Sequence, residues 1–482
     1  MSTPADSTQR LRLGLEIWAC TRRIRKQLMT ARAHEIADTI VQLPTDCAPA
    51  HILSRLKPII GTSNPKLKRA SPLPMIADEH GHPVTTKHDL CRRWVEFFSL
   101  MEGGERVTKE ALREQWREGL AHFIQQELHL SPDDIPTLTD LEIAFRRVRP
   151  HKAVGADNVP PELCHLYPTR LARAVYGQLL KLCTHGQEAL IHKGGLLVAA
   201  WKRKGSQMAC ESYRSLLISS HVAKTVHRAV RSHQSQTYES FLQAEQIGGR
   251  KAIPVTMGVH FIRAAARAAR LSKQSHALIF LDLREAFYRV LRPLSIGGPI
   301  PDELLALVAA RLHLPAEALH DLQQLLRDPS GTERANMAPH QRRTLQALHT
   351  HTHFWMHGQD DRIHTRLGSR PGDPFADVVF GYMFARILTE VEQKLDAIGV
   401  LETIEDVTAT GLYPSSDKND VVKHTMLGPT WMDDLCITIT GATAEGVESR
   451  ASAAASILLE VCTAHGVSPN LDKGKSEVLF SF

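Results

Sequence analysis

The sequence predicts an α+β fold, and three stretches carry that prediction. HALIFLDLREAF (276–287) reads as a short apolar strand, Leu278 to Leu281, running into Asp282 and then a helical turn. GPTWMDDLCITIT (428–440) reads as a β-hairpin, with Asp433 and Asp434 near its turn and LCITIT as the return strand. FADVVFGYMFARILTEVEQKL follows the glycine-bearing turn GSRPGDP (368–374) and reads as a long, largely buried helix.

The remaining elements are justified in chain order. Residues 9–43 place apolar side chains at helical spacing opposite a basic face and predict a helix. From Pro44 to Pro74 the chain is rich in Pro, Ser, Lys and Arg and reads as a linker. IADEHGHPVTTKHDLCRRWVEFFSLM predicts a short strand, a glycine turn and a helix ending in an aromatic cluster. Helices alternating with turns are expected from there to about residue 275, and again over 294–366. A helix over 444–465 and the segment GVSPNLDKGKSEVLF close the chain.

Composition bounds the classes of function. The 482 residues are 43% hydrophobic and 23% charged, as in an ordinary globular protein, which argues against wholesale disorder. The first residues lack the apolar core of a signal peptide, and no apolar run is long enough to cross a membrane. The eight cysteines form no CxxC pair and no zinc spacing, and read as reduced thiols of an intracellular protein. Charge is uneven. Residues 10–70 carry 12 Lys/Arg against 4 Asp/Glu, while the whole chain is only +6. Residues 198–231 carry seven basic side chains, Lys202, Lys204 and Arg214 among them, against Glu211 alone. Two basic segments beside an acidic site fit a polyanion held at a metal centre. Either segment taken alone is equally a solvated helix face.

Two adjacent aspartates at one turn repel unless a positive charge lies between them. A divalent cation resolves that conflict; a fully solvated turn is the bland alternative. The cluster LHTHTHFWMHG, with His349, His351, His353 and His357, has no carboxylate or cysteine partner at ligand spacing and reads as insertion sequence without a metal role.

The order strand with Asp, glycine turn with helix, hairpin with Asp-Asp, then Lys resembles the palm of a reverse transcriptase. FLDLREAF, GSRPGDPFADVVF, WMDD and GVSPNLDKGKSE stand for its four palm motifs. KAVGADNVPPEL, AAWKRKGSQMACESYRSLLIS and EQIGGR resemble the finger motifs of the non-LTR retrotransposon enzymes. The likeness covers roughly 140–482. It implies fingers over 140–275 and a palm over 276–482 with a helical insertion at about 294–366, preceded by a basic region (1–74) and a connector (75–139).

What the resemblance implies is RNA-directed DNA polymerisation, in which dNTPs are added to a DNA 3′-end on an RNA template with two Mg²⁺ ions, or Mn²⁺ in their place. Asp282 and Asp433 would bridge the metals, with the Leu283 carbonyl assisting and Asp434 mainly supporting. Arg214, Lys202 and Lys204 would grip the triphosphate, and Lys475 would protonate the pyrophosphate, with Lys473 as its rival. Phe287 would lie under the sugar and exclude a 2′-hydroxyl; Pro371 and Gly372 would form the nucleotide-binding turn. A nuclear location is implied for a eukaryotic source. Departures are as informative: Pro371 stands where the family has Gln, Trp431 replaces Tyr or Phe, and Ser215 replaces Pro. The sequence stops at Phe482, just after the fourth motif, so a thumb is expected to be absent or truncated. The competing expectation is an inert nucleic-acid-binding remnant of such an enzyme; a maturase-like intron protein is disfavoured by the absence of its extensions.

Overall fold

The computed structural model describes residues 76–124, 130–357, 359–406 and 422–482, with scattered positions between 16 and 42. The chain divides into two units, Met1–Met75 and Ile76–Phe482. In the first, the described positions between 16 and 41 are helical, and the expected linker lies outside the described residues. All further description concerns the second unit.

Its strands are β1 (Glu105–Val107), β2 (Gly194–Trp201), β3 (Tyr213–Ser219), β4 (Ser275–Leu281), β5 (His353–Trp355), β6 (Arg362–His364), β7 (Glu402–Asp406), β8 (Val422–Met426), β9 (Thr430–Trp431), β10 (Asp434–Gly441) and β11 (Glu477–Ser481). They form a five-stranded sheet in the order β1-β6-β5-β2-β3, a four-stranded sheet β11-β4-β10-β9, and the pair β7-β8. Every pairing is antiparallel except β2 with β5, so the fold is α+β with largely antiparallel sheets.

The four-stranded sheet follows from alternation. Ala277, Ile279 and Leu281 of β4 and Leu435, Ile437 and Ile439 of β10 are buried on one face. The helices Ala376–Ala397 and Ala444–Ala464 pack together and, with these side chains, share one core cluster. Ala376–Ala397 is buried nearly all round, which is why its sequence is apolar on every face. Thr443 caps the second helix by accepting from the Gly446 amide. On the other face lies the helix Val255–Leu271, of which only Gly258 and Ala269 are buried.

The main cluster runs from Leu141 to Val467, so the residues on either side of position 275 share one core. A second cluster packs the helix Lys87–Met101 on the five-stranded sheet, with Trp94 edge-on to Tyr213 at 4.9 Å.

Two differences from the sequence reading concern this sheet. Helices and turns are expected before residue 275, yet β2 and β3 form a seven-pair antiparallel ladder there. GGLLVAAW is short and apolar, and only its pairing with a segment twelve residues on separates strand from helix. Within the expected helical stretch 294–366, β5 and β6 form a short hairpin. The histidine cluster is divided between the end of the helix Pro339–His349 and this hairpin. His349 and His353 are buried, and His351 stacks on His364 at 5.7 Å. Burial pushes His349 and His353 down to about 3 and His351 to about 4, so these rings are neutral. Among the described residues, no group of three or more His, Cys, Asp or Glu is gathered closely enough to hold a metal.

Candidate active site

Asp282 stands at the carboxyl end of β4. Leu281 pairs with Leu435, so one step further along the ladder brings Asp282 beside Asp434. The segment 468–476 clamps Asp282 from the other side. The Asn470 amide donates to the Asp282 carbonyl at 2.7 Å, and the Asp282 amide donates to Ser476 Oγ at 3.1 Å. Asn470 Nδ2 donates to Asp282 Oδ2 at 2.9 Å, and Lys475 Nζ lies 2.9 Å from the same oxygen. Lys475 therefore reaches the site, while Asn470 and Ser476 were not singled out by the sequence, although both lie in the segment that was.

Leu283 is buried, and it bridges Pro469 through its neighbours' bonds, Arg284 amide to Ser468 carbonyl and Asn470 amide to Asp282 carbonyl. In such a pair the central residue's own amide and carbonyl turn to the opposite side, here toward β10. The Leu283 carbonyl thus faces the strand that begins with the hairpin acids.

The hairpin turn has two residues, Met432 and Asp433, closed by the pair Trp431 with Asp434. Met432 has φ 58 and Asp433 does not share the left-handed region, the pattern of a type II′ turn. A β-branched or bulky residue is costly there, and a sequence that keeps methionine at this position needs the surroundings to hold it. The surroundings are the stretch EQIGG. Ile247 and Gly248 donate their amides to the Thr430 carbonyl at 3.1 and 3.3 Å, and the Thr430 amide donates to the Glu245 carbonyl at 2.8 Å. Gly248 lies so close that a Cβ there would overlap the Met432 amide nitrogen.

Electrostatics mark the turn as short of positive charge. Burial pushes the half-buried Asp433 carboxyl up to about 6, with Asp434 and Asp282 adding to it and Lys475 opposing. Asp434 is exposed as a residue, yet its carboxyl is also raised, first by the enclosure of the cleft and then by Asp282. A cleft of about 420 Å³ opens here, lined by Asp282, Asp434, Lys475, Trp431 and Phe280 and by Val259 of the covering helix. The donors are hard carboxylate oxygens of the kind magnesium selects, and the raised acids show where added positive charge is favourable. Asp282, Asp433 and Asp434 match such an ion in donor chemistry, yet no three His, Cys, Asp or Glu among the described residues are gathered closely enough to hold one, and the Lys475 ammonium neutralises one oxygen of Asp282.

Phe287 lies beyond this turn, its ring stacked on Phe380 at 4.8 Å and packed against the main core. Its carbonyl accepts from the Ser369 amide at 2.7 Å, which ties it to the glycine turn. In that turn Pro371 is half-buried and Gly372 exposed with φ 95. What fixes the turn is a buried ionic group that sequence reasoning missed. His227 donates Nδ1–H to Asp373 Oδ2 at 3.0 Å and Nε2–H to Glu188 Oε1 at 2.5 Å, with Arg370 and Lys193 at the outer ends. Burial alone would lower His227, but Glu188 and Asp373 outweigh it and hold it up at about 9. Burial would raise Glu188, yet His227 and Lys193 pull it down to about 2, and Asp373 is likewise well below the usual range. A histidine on an apolar helix face carries no signal of this; the partners are 39 and 146 residues away.

Arg214 is exposed on β3, and Lys204 is exposed in the β2–β3 turn. Lys202 donates Nζ–H to the Glu211 carbonyl at 2.7 Å. Burial lowers the Lys202 ammonium; Glu285 opposes that, and Arg214, Lys204 and Lys475 add to it. These cations therefore share one field with the acidic cleft, a basic wall beside an acidic centre. Ser215 Oγ donates to Tyr288 Oη at 2.8 Å and joins β3 to the turn after Asp282. Compared with known proteins, the chain matches no family model and no curated protein.

Proposed function

We propose that this chain is an RNA-directed DNA polymerase of the non-LTR retrotransposon type, the four-stranded sheet with its helices serving as palm and the five-stranded sheet as fingers. The observation that carries the reading is the β4–β10 register, which brings Asp282 beside Asp434 and the hairpin turn that holds Asp433, with Lys475 on Asp282. Asp282, Asp433, Asp434 and the Leu283 carbonyl would hold two Mg²⁺ ions, which supply charge stabilisation for the attacking 3′-oxygen and the departing pyrophosphate. Arg214, Lys202 and Lys204 bind the triphosphate of the incoming dNTP; guanidinium suits phosphate oxygens because it donates in a fork. Lys475 would hand a proton to the pyrophosphate as the bond from the α-phosphorus to its bridging oxygen breaks. Phe287, held rigid by Phe380, supplies the wall that discriminates against a ribose 2′-hydroxyl.

A second reading, a nucleic-acid-binding remnant without activity, is favoured by one observation. Asp282 Oδ2 already accepts from both Asn470 and Lys475, so a metal must compete with an internal ammonium. Primer extension on an RNA template with dNTPs and Mg²⁺ separates the two. Wild-type extension that falls by three orders of magnitude or more in Asp282→Asn supports the enzyme. Absence of extension, with calorimetric Mg²⁺ or Mn²⁺ binding equal in both proteins, supports the remnant.

A further inference from the structure

A cavity of about 670 Å³ lies away from the acidic cleft. Its walls are the helix Lys109–Ile124, the loop 153–158, the entry to β2 and the β5–β6 hairpin. Three cations line it, Lys109, Arg113 and Arg362, and no carboxylate does. Arg113 is exposed and has no ion-pair partner among the described residues. Lys109 has only the fully exposed Asp360 at 3.5 Å, a pairing that water screens almost completely.

The rest of the wall is flat and apolar. The Arg362 guanidinium lies over the Trp355 ring at 4.5 Å, and the His353 ring, neutral because it is buried, lies 6.1 Å from the same indole. Val154 and Ile191 are more than 40% exposed and form an apolar rim. The loop 153–158 is preorganised. Asp157 Oδ2 accepts from Ser220 Oγ at 2.6 Å, the His221 ring bonds the Ala153 carbonyl at 2.9 Å, and a Cβ on Gly155 would meet the Ser219 carbonyl at 2.7 Å.

We propose that this cavity binds a nucleotide unit, its base packed on the Trp355–Arg362 shelf and the apolar rim and its phosphate held by Lys109 and Arg113. A base offers the flat face that an indole and a guanidinium plane both stack on, and phosphate supplies the anion that Arg113 and the weakly paired Lys109 attract. An acidic peptide would use the cations and leave the shelf and the rim unfilled. The same chemistry comes from a free nucleotide or from one residue of a single strand. The site does not depend on the metal centre, and it stands or falls separately from polymerase activity.

The test is equilibrium binding of a fluorescein-labelled 12-mer RNA to the full chain, followed by anisotropy over a series of salt concentrations. Arg113→Glu changes an exposed side chain and leaves the core intact; it should weaken binding about tenfold and reduce the salt slope by about one. Trp355→Ala should weaken binding about tenfold or more with the slope unchanged, since stacking is not ionic. Competition by millimolar UMP or AMP identifies a free nucleotide as ligand; competition by unlabelled oligonucleotide alone identifies a strand. Equal affinity of wild type, Arg113→Glu and Trp355→Ala overturns the site, as does competition by oligoglutamate as effective as by RNA. Loss of binding in Asp282→Asn with none in Arg113→Glu would place the strand in the acidic cleft and overturn it too.

Discussion

At the scale of single residues, the informative fact is that Asp433 is a raised carboxyl in a half-buried turn. Its folded value of about 6 lies above the ordinary aspartate value, so the charge it carries at neutral pH is a cost to the fold. The sign follows from that. The contribution of this group to stability is fully present below about pH 4 and is lost as pH rises through 6. Asp433→Asn should therefore be more stable than the wild type at pH 7, by on the order of 2 kcal/mol, with the gap closing toward pH 4. Thermal unfolding at the two pH values checks it. Millimolar Mg²⁺ should raise the wild-type melting temperature and not that of the variant; an equal response in both would remove Asp433 from the metal set. The acids were legible in the sequence because an apolar strand ending in Asp and a hairpin bearing Asp-Asp are local patterns. Asn470 and Ser476 were not, because what they bond is Asp282, 188 and 194 residues earlier.

At the scale of elements, two joints hold the site, and both bring together segments that no periodicity links. The EQIGG stretch is one. Gly248→Ala introduces a Cβ where the Met432 amide lies, so the turn must move while the sheet behind it stays packed. Metal affinity and extension should fall about tenfold or more with less than about 2 kcal/mol lost in stability, because the displaced atoms lie at the rim of the core. Calorimetric titration beside denaturant unfolding separates these; a large stability loss with unchanged metal affinity would make Gly248 a packing residue only. The other joint is His227 between Glu188 and Asp373. His227→Gln removes the one charge that both buried acids share, at a cost of about 3–5 kcal/mol near pH 7. His227 is raised, so its stabilisation is present below the ordinary histidine value and is lost as pH rises through about 9. The difference between wild type and variant should shrink over that interval. Lys193, lowered by burial to about 8, titrates over the same interval and is coupled to His227 through Glu188, so it contributes to that difference. The β2–β3 ladder belongs to the same lesson: its strands are recognised by each other, not by their own spacing.

At the scale of the whole molecule, charge is partitioned more sharply than a net +6 conveys. The acidic centre is bordered by Lys202, Lys204, Arg214 and Lys475, and residues 10–70 add a separate excess, 12 basic against 4 acidic. Such an excess acts through counterion release, which has no sequence preference and a steep dependence on salt. If four of those charges neutralise phosphates of a single strand, the slope of log K against log salt changes by about 3. Removing residues 1–70 should therefore flatten the salt dependence of RNA binding by about that much and leave Mg²⁺ affinity at the acidic centre unchanged, because Ile76–Phe482 is a compact unit of its own. Filter binding between about 50 and 200 mM salt, with calorimetry for the metal, reads both. An unchanged slope would assign the electrostatic footprint to the second unit alone, where the Arg113 cavity and the basic wall beside Asp282 are its two candidate seats. Comparing Arg113→Glu with Arg214→Glu would then divide the slope between them, since each removes one cation from one seat only.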